Sequence, residues 1–530
     1  MPERLSFDDL LARRQALPGD APVIVTEDGT RIGSAEFAGM VARAAGWLRA
    51  QGIGRGDRVA LWLPNYPLWL ALLFGAARIG AGIAAVNTRY RTAELHHILK
   101  SSGARLLIFE SRDTHADFHA MIDELDFGDL PDLTALAATD AADLPPVQGI
   151  AIGLCDISDS EPVAPEGVSP DERLILFTTS GTTSMPKLVE HPQRSIALHA
   201  VNSARAYRFD DPDARLLGAM PLCGVFGLNT VLGAFAGGAP VHLMTAFRLD
   251  TAMQMSRDTA FTHFFGSDDM FRMMFEADPG VFGSARVCGF GAFTPGLEGA
   301  LRRIAEAGVP LSGLYGASEV NAIFSIQPPG MPLGERLKGG GRPSGGADAQ
   351  VRVRHPETGA LLGAGEPGVL EIRAPTNFDG YFRNPEATAK AVDAEGYFRS
   401  GDAGYLREDG TFVYLARNGD FLRLSGFLTD PREIEEVIET AAGVAKAQVV
   451  GVTLDGRTRP VAFFTAEDGA TPEEAAILDH VRPQLAHYKV PARVRRLDAF
   501  PTTESPNGLK IQKAKLRTMA QALLKEGQGA

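Results

Sequence analysis

Ten consecutive residues, Thr178-Thr-Ser-Gly-Thr-Thr-Ser-Met-Pro-Lys187, gather small hydroxyls, one glycine and a terminal lysine directly behind the apolar run Arg173-Leu-Ile-Leu-Phe177. A loop of that composition at a strand end can turn hydroxyls and backbone N–H groups toward phosphate oxygens while the lysine supplies charge. The spacing does not fit Gly-x-x-x-x-Gly-Lys-Ser/Thr, so this is not a Walker A loop. Taken alone, the same residues also suit a Ser/Thr-rich surface turn.

The elements that must position such a loop are legible around it. Arg58-Val-Ala-Leu-Trp-Leu, Arg105-Leu-Leu-Ile-Phe-Glu and Arg173-Leu-Ile-Leu-Phe-Thr read as short buried strands, with helical patterns between the first two. Strands alternating with helices predict an α/β fold with parallel sheet. The apolar stretch from Trp69 to Val86 carries Arg78 and several glycines, so it reads as a buried helix leading into a strand, not a membrane span. Residues 123–170, rich in Asp, Ala and Pro, read as an irregular surface connection. From Gly396 to Tyr414, aromatic segments broken by Gly-Asp and Asp-Gly predict β-hairpins. A hinge is expected near Arg417-Asn-Gly-Asp420, which divides an N-terminal core of residues 1–418 from a small mobile α+β domain of residues 419–530. In that small domain, Pro431 opens a helix, strands follow at Ala447–Val452 and Pro460–Thr465, a helix begins near Thr471, and a basic tail runs from Lys510 to Arg517.

Composition narrows the function. At 530 residues the chain exceeds one ordinary core, and its 45% hydrophobic and 22% charged content is that of a globular protein. A net charge of -13 argues against a nucleic-acid or anionic-membrane surface, so any anionic ligand must meet locally placed cations. Cys155, Cys223 and Cys288 are odd in number and widely spaced, which disfavours a disulfide framework and a zinc site and fits a reducing cytoplasm. The acidic N-terminus does not look like a signal peptide.

With its companions, the loop resembles the signature of the adenylate-forming (ANL) superfamily of acyl- and aryl-CoA synthetases, luciferases and nonribosomal adenylation domains. Tyr315-Gly-Ala-Ser-Glu319 is similar to the family's Tyr-Gly-x-Thr-Glu, Tyr397-Phe-Arg-Ser-Gly-Asp402 to its aromatic-Thr-Gly-Asp element, and Arg417 to the arginine before its hinge. Ser425-Gly426 through Pro431-Arg-Glu-Ile-Glu435 resembles Gly-x-x-x-x-Pro-x-Glu-Ile-Glu, and Lys510-Ile-Gln-Lys-Ala-Lys-Leu-Arg517 the terminal lysine motif. Upstream, Gly80-Ala-Gly-Ile-Ala-Ala-Val-Asn-Thr-Arg-Tyr90 resembles the family's strand closing on Asn-x-Arg-Tyr.

The resemblance implies ATP-dependent activation of a small carboxylic acid to acyl-AMP, with ATP, Mg2+ and CoA as cofactors and a homodimer allowed. By the same token Thr179, Ser180, Gly181, Thr182 and Thr183 would hold the leaving phosphates and Lys187 would support their loop. Ser318 would touch the α-phosphate and Glu319 orient Mg2+. Tyr315, with Gly316 and Ala317 after it, would stack on adenine opposite Gly291, Ala292 and Phe293. Asp402 would accept hydrogen bonds from the ribose hydroxyls, with Arg417 nearby. Lys510 would reach the carboxylate and α-phosphate, and Gly426 would let pantetheine pass. Cys223, Gly224, Phe226, His263, Phe264 and Gly266 would line the acid pocket.

Departures from the family pattern leave some points open. Ser184 and Ser318 stand where relatives usually carry Gly and Thr, and Gly224 where many carry His. Leu509 separates Gly508 from Lys510, so Lys513 is the fallback for the terminal lysine. Asp268 and Asp269 read first as helix-cap acids and second as recognition of a polar or amine-bearing acid. The acceptor of the acyl group is CoA in the leading reading; a carrier protein, an amine, or a nucleotide-binding homologue impaired in catalysis are the alternatives.

Overall fold

The helix Pro67–Arg78 starts with proline at its first position and buries its last ten residues, Arg78 included. The buried guanidinium is tolerated because Nη2 meets Asp8 Oδ1 at 2.7 Å and Nη1 donates to Val163 O at 3.0 Å. After Gly80, whose φ of +73° suits glycine, the chain enters the strand Gly82–Ala85, as the sequence predicts for this stretch. In the computed structural model the described residues are 3–18, 22–113, 116–140, 143–178, 187–294, 297–417, 422–424, 427–429, 431–454, 457–485, 487–505 and 508–526. Among them no helix is long and apolar enough to cross a membrane.

The chain divides into two units: Met1–Ala292, Leu297–Val351 and Ile372–Phe398 form the first, and Phe293–Gly296, Arg352–Glu371 and Arg399–Ala530 the second. In the first unit one sheet runs in the order Gly380–Tyr381, Leu188–Pro192, Arg173–Thr178, Gly82–Ala85, Arg58–Trp62, Leu106–Phe109, Ala135–Ala138, Ile152–Leu154. From Arg173–Thr178 onward its neighbours are parallel, and Leu188–Pro192 is antiparallel to both of its own. The last two strands correct the expected irregular connection over 123–170. Leu136, Ala137 and Ala138 pair with Leu107, Ile108 and Phe109 and are nearly inaccessible. Alanine carries little β signal, and the surrounding Asp and Pro favour a loop, so these strands do not show in the sequence. Trp62 stacks on Phe118 at 3.9 Å in the core on this side.

A second sheet of the first unit runs Gly340–Pro343, Ser325–Ile326, Leu311–Tyr315, Val287–Gly291, His263–Ser267, Leu216–Gly218, Val241–Leu243, Ile24–Val25, Arg31–Ile32. It is parallel from Leu311–Tyr315 to Ile24–Val25 and antiparallel at both ends. Parallel strands align their carboxyl ends on one rim, where an open α/β sheet binds its ligands.

The second unit contains the hairpin Phe398–Leu406 with Phe412–Arg417, as the Gly-Asp and Asp-Gly breaks predict. Further along, Pro431–Glu439 forms the expected helix, Val444–Leu454 and Arg457–Ala466 an antiparallel pair, and Arg493–Arg496 adds in parallel. A helix spans Glu474–Val481, and Ile434, Ile438, Val449, Phe464 and Ile477 meet in a shared core. The boundary expected at 418/419 falls on residues 418–421, outside the described ones.

Candidate active site

Three parallel strands of the second sheet end side by side at Ser267, Gly291 and Tyr315. Ser267 pairs with Gly291, and Phe290 with Gly313. Gly266, Gly291, Tyr315 and Gly316 therefore share one rim, although they are spread over fifty residues of sequence. Gly289, below that rim, leaves room for Phe265: a Cβ there would come within 2.6 Å of its ring. Phe293 falls in the second unit, and Ala292 closes the first segment of the first.

Beyond Tyr315 the backbone makes a strained turn. Ser318–Val320 is a single 3-10 turn, followed by Asn321 at φ +60° and Ile323 at φ +57°. A β-branched residue there is an outlier, and such strain costs about 1–3 kcal/mol per residue. Buried polar groups hold it. Asn321 accepts from Asn229 Nδ2 at 3.0 Å and donates to Thr376 O at 2.8 Å. His199 Nε2 donates to Ala322 O at 3.0 Å, and the Tyr207 hydroxyl donates to Ile323 O. Gly316 is obligatory, since a Cβ would lie 2.6 Å from Ala322 Cα.

His191 clamps the same turn from the strand Leu188–Pro192. Its Nε2 donates to Ser318 O at 2.7 Å and its Nδ1 accepts from the Ser195 hydroxyl at 3.0 Å. Burial lowers its pKa to about 4, so the ring is neutral at physiological pH and the Nε2–H tautomer is the one the carbonyl requires. Glu319, nearly buried, accepts from the Tyr381 hydroxyl at 2.7 Å on Oε1, and its carbonyl accepts from Phe378 N at 2.8 Å. Lys187 Nζ sits 4.6 Å from the centroid of the Tyr381 ring, within cation–π range. Lys187 and Glu319, 132 residues apart in sequence, thus contact the same tyrosine.

Thr178, the last described residue before the hydroxyl-rich loop, has its Oγ1 at 2.9 Å from the Tyr90 hydroxyl. Tyr90 is aimed by the Asn-x-Arg-Tyr turn, in which Asn87 Oδ1 accepts from Arg89 N at 3.0 Å and Asn87 O accepts from Trp62 Nε1 at 3.0 Å. Thr179, Ser180, Gly181, Thr182 and Thr183 lie outside the described residues, as do Ser184, Ser425 and Gly426.

Around the expected acid pocket, Asn65 fixes the loop before the helix Val225–Gly237 by donating to Met220 O and accepting from Leu222 N. Cys223 is buried there, its thiol pushed up to about 12 by desolvation, so it is no thiolate. Phe226 is buried and Gly224 half-buried at the helix N-cap. His263 and Phe264 open their strand at its amino end, His263 about 13 Å from the rim at roughly 3.3 Å per residue. The His263 ring is spent on Tyr207 O at 2.8 Å and the Thr262 hydroxyl at 2.7 Å, while Phe264 packs against Phe261 and Phe271. Asp268 and Asp269 form the first turn of the helix Asp268–Ala277, and Asp269 pairs with Arg272 at 2.7 Å, the helix-start reading.

In the second unit, Asp402 is buried and pairs directly with Arg417 across the hairpin. Ser400 Oγ accepts from Asp402 N at 3.0 Å while donating to Leu370 O at 2.7 Å, which fixes this part of the strand Phe398–Leu406. Lys510 lies on the strand Gly508–Ile511 opposite Thr503, and Lys513 begins the terminal helix Lys513–Glu526. The side chains of Arg417 and Lys510 are outside those described.

The fold is that of the adenylate-forming superfamily, and the chain belongs to the AMP-binding enzyme family: that family's model matches residues 11–382, and the model of the AMP-binding enzyme C-terminal domain matches residues 433–506. The chain is 29% identical to 4-coumarate--CoA ligase 2 of Oryza sativa subsp. japonica, over 95% of this chain and 91% of that protein. It is 30% identical to the 3-hydroxybenzoate--CoA ligase of Aromatoleum sp. (strain CIB), over 95% and 94%. Among solved structures, the ATP-bound RpMatB-BxBclM chimera B3 superposes with a TM-score of 0.81 at 25% identity, covering 98% of this chain and 100% of that one.

Proposed function

We propose that the chain is an AMP-forming acid:CoA ligase. A carboxylate oxygen of the substrate attacks the α-phosphorus of ATP, the bond to the β-phosphate oxygen breaks, and pyrophosphate leaves. The thiol sulfur of CoA then attacks the acyl carbon, the bond to AMP breaks, and the thiol proton passes to solvent. The observation that carries this reading is the union of Lys187, Tyr381 and Glu319 beside the strained turn that holds Ser318. Such chemistry rests on fixed positions and charge, and this turn is fixed by hydrogen bonds on both sides.

Glu319 fits Mg2+ as a hard carboxylate, yet no group of three or more His, Cys, Asp or Glu able to hold a metal occurs among the described residues. Mg2+ carried in on the nucleotide phosphates would find in Glu319 a carboxylate able to complete its shell. Bound there, it would neutralise charge on the departing phosphates. Tyr315 and Gly291 at the rim would enclose adenine, Ser318 would face the α-phosphate, and Asp402 with Arg417 would hold the ribose. Lys510 would bring its charge to the carboxylate. Cys223, Gly224, Phe226 and Gly266 would meet the acid. An aromatic acid is the substrate class we infer, a reading supported by the two relatives named for 4-coumarate and 3-hydroxybenzoate.

The test is an ATP-dependent assay over a panel of aromatic and aliphatic acids, with and without CoA. An acyl-CoA product and AMP release that depends on CoA are expected; AMP release indifferent to CoA for every acid would replace CoA by a carrier protein or an amine as acceptor.

A further inference from the structure

We propose that Tyr381 is a positioning residue that presets the Glu319 carboxylate for a nucleotide-borne divalent cation and couples it to Lys187; this rests on the proposed acid-activating function. Nothing in the adenylation motifs quoted from the sequence includes this tyrosine. Its place is set by the sheet, where Gly380 and Tyr381 pair with Glu190 and Val189, three and two residues beyond Lys187. The segment has little freedom. Tyr381 N donates to Thr388 Oγ1 at 2.9 Å, and a Cβ at Gly380 would lie 2.9 Å from the same threonine. The ring meets Phe378 edge-to-face at 5.2 Å, and Phe378 N in turn donates to Glu319 O.

The consequence for Glu319 is geometric. Its backbone is tied to Phe378 and its Oε1 to the tyrosine hydroxyl, so the carboxylate plane is set before any ligand arrives. Among the described residues only Oε1 accepts a hydrogen bond, so Oε2 would be the oxygen for a hard cation. The Lys187 ammonium on the ring face draws electron density from the phenol and strengthens its O–H as a donor to the carboxylate. Packing alone would need the ring but not the hydroxyl.

Tyr381→Phe separates these roles, since it keeps the ring and its contact with Lys187. ATP affinity of the full-length protein is measured by calorimetry in excess Mg2+ and in EDTA, for wild type, Y381F, E319Q and the double variant. The expected result is a loss of about tenfold or more in the Mg2+-dependent gain of affinity in Y381F, the scale of one hydrogen bond to a charged group, with metal-free binding unchanged. The same substitution in the E319Q background should change nothing further. A wild-type metal gain in Y381F, or fully additive effects of the two substitutions, overturns the proposal. Loss of folded protein lowers binding stoichiometry in both media alike and leaves the affinity ratio readable. Absence of AMP formation with every acid, beside a metal gain that depends on Tyr381, would overturn the proposed function and support this inference.

Discussion

Asp402 and Arg417 stand directly opposite one another in the antiparallel ladder between Phe398–Leu406 and Phe412–Arg417, fifteen residues apart in sequence. Facing positions in such a ladder bring Cα atoms to roughly 4.5–5.5 Å, so the backbones of two residues drawn from separate motifs lie side by side. A bulge follows at once: Gly404 pairs with Tyr414, leaving Leu415 unopposed. A Cβ on Gly404 would lie 2.2 Å from Val413 O.

If Asp402 accepts from the ribose hydroxyls, Asp402→Asn should weaken ATP binding by about 10–100-fold, as expected for hydrogen bonds to a charged group. It should also narrow the difference between ATP and 2′-deoxy-ATP. Calorimetric titration of both nucleotides checks this, and an unchanged ATP affinity would remove Asp402 from the ribose site.

Acid should destabilise the protein through its buried histidines. Burial lowers His191, His199, His242 and His263 from 6.5 to about 4, so the unfolded chain binds protons at a pH where the folded chain does not. Stability is therefore full above about pH 6.5 and falls as pH drops toward 4, each histidine contributing up to about 1.4 kcal/mol per pH unit within that window. The measurement is Tm against pH. His242→Leu, which removes a ring whose Nδ1 has no hydrogen-bond partner among the described residues, should make the fall shallower. A flat Tm between pH 6.5 and 5 would contradict the assignment.

Gly224 and Gly227, at the start of the helix Val225–Gly237, should respond differently to substitution. A Cβ at Gly224 meets only Pro221 O, at 3.4 Å, whereas one at Gly227 would lie 2.2 Å from the same oxygen. Gly224→His should keep Tm within a few degrees and shift acid preference toward smaller acids. Gly227→Ala should cost on the order of 1–3 kcal/mol, the scale of overpacking a core, and lower Tm. Thermal melts and kcat/KM over an acid series read both. An unaltered acid profile in the first variant would place Gly224 away from the acid.

Lys510 sits in a β-hairpin opposite Thr503, and Lys513 begins the following helix, so the two lysines are not equivalent. Lys510→Ala should reduce acid-dependent pyrophosphate release by at least about a hundredfold, a plausible scale for losing one stabilising charge in the transition state, with ATP binding nearly unchanged. Lys513→Ala should have little effect. The reverse order would transfer the role to Lys513.

The candidate residues are legible in the sequence because they fall in short local motifs, each carried by one turn or strand end. Tyr315-Gly-Ala-Ser-Glu319 and Tyr397-Phe-Arg-Ser-Gly-Asp402 can be read as strings, and the α/β class follows from alternating apolar runs. What holds them is non-local. His191 meets Ser318 across 127 residues and Tyr381 meets Glu319 across 62, contacts set by strand order, which no spacing displays. The one signal available for Tyr381 was an aromatic residue directly after a glycine in Phe378-Asp-Gly-Tyr381. His263 and Phe264 looked like pocket residues because they adjoin Gly266, but the strand places them at its buried opening. Strands such as Ala135–Ala138 escape a reading by β propensity, since their burial comes from neighbours and not from their own residues.

The central claim, that this chain forms an acyl-adenylate, is tested most directly by ATP–pyrophosphate exchange in the presence of individual carboxylic acids and no CoA. Radiolabel from pyrophosphate should enter ATP only when an accepted acid and Mg2+ are present, and Lys510→Ala should abolish it. Nucleotide binding without exchange for any acid in a broad aromatic and aliphatic panel would contradict the account and leave a nucleotide-binding protein in its place.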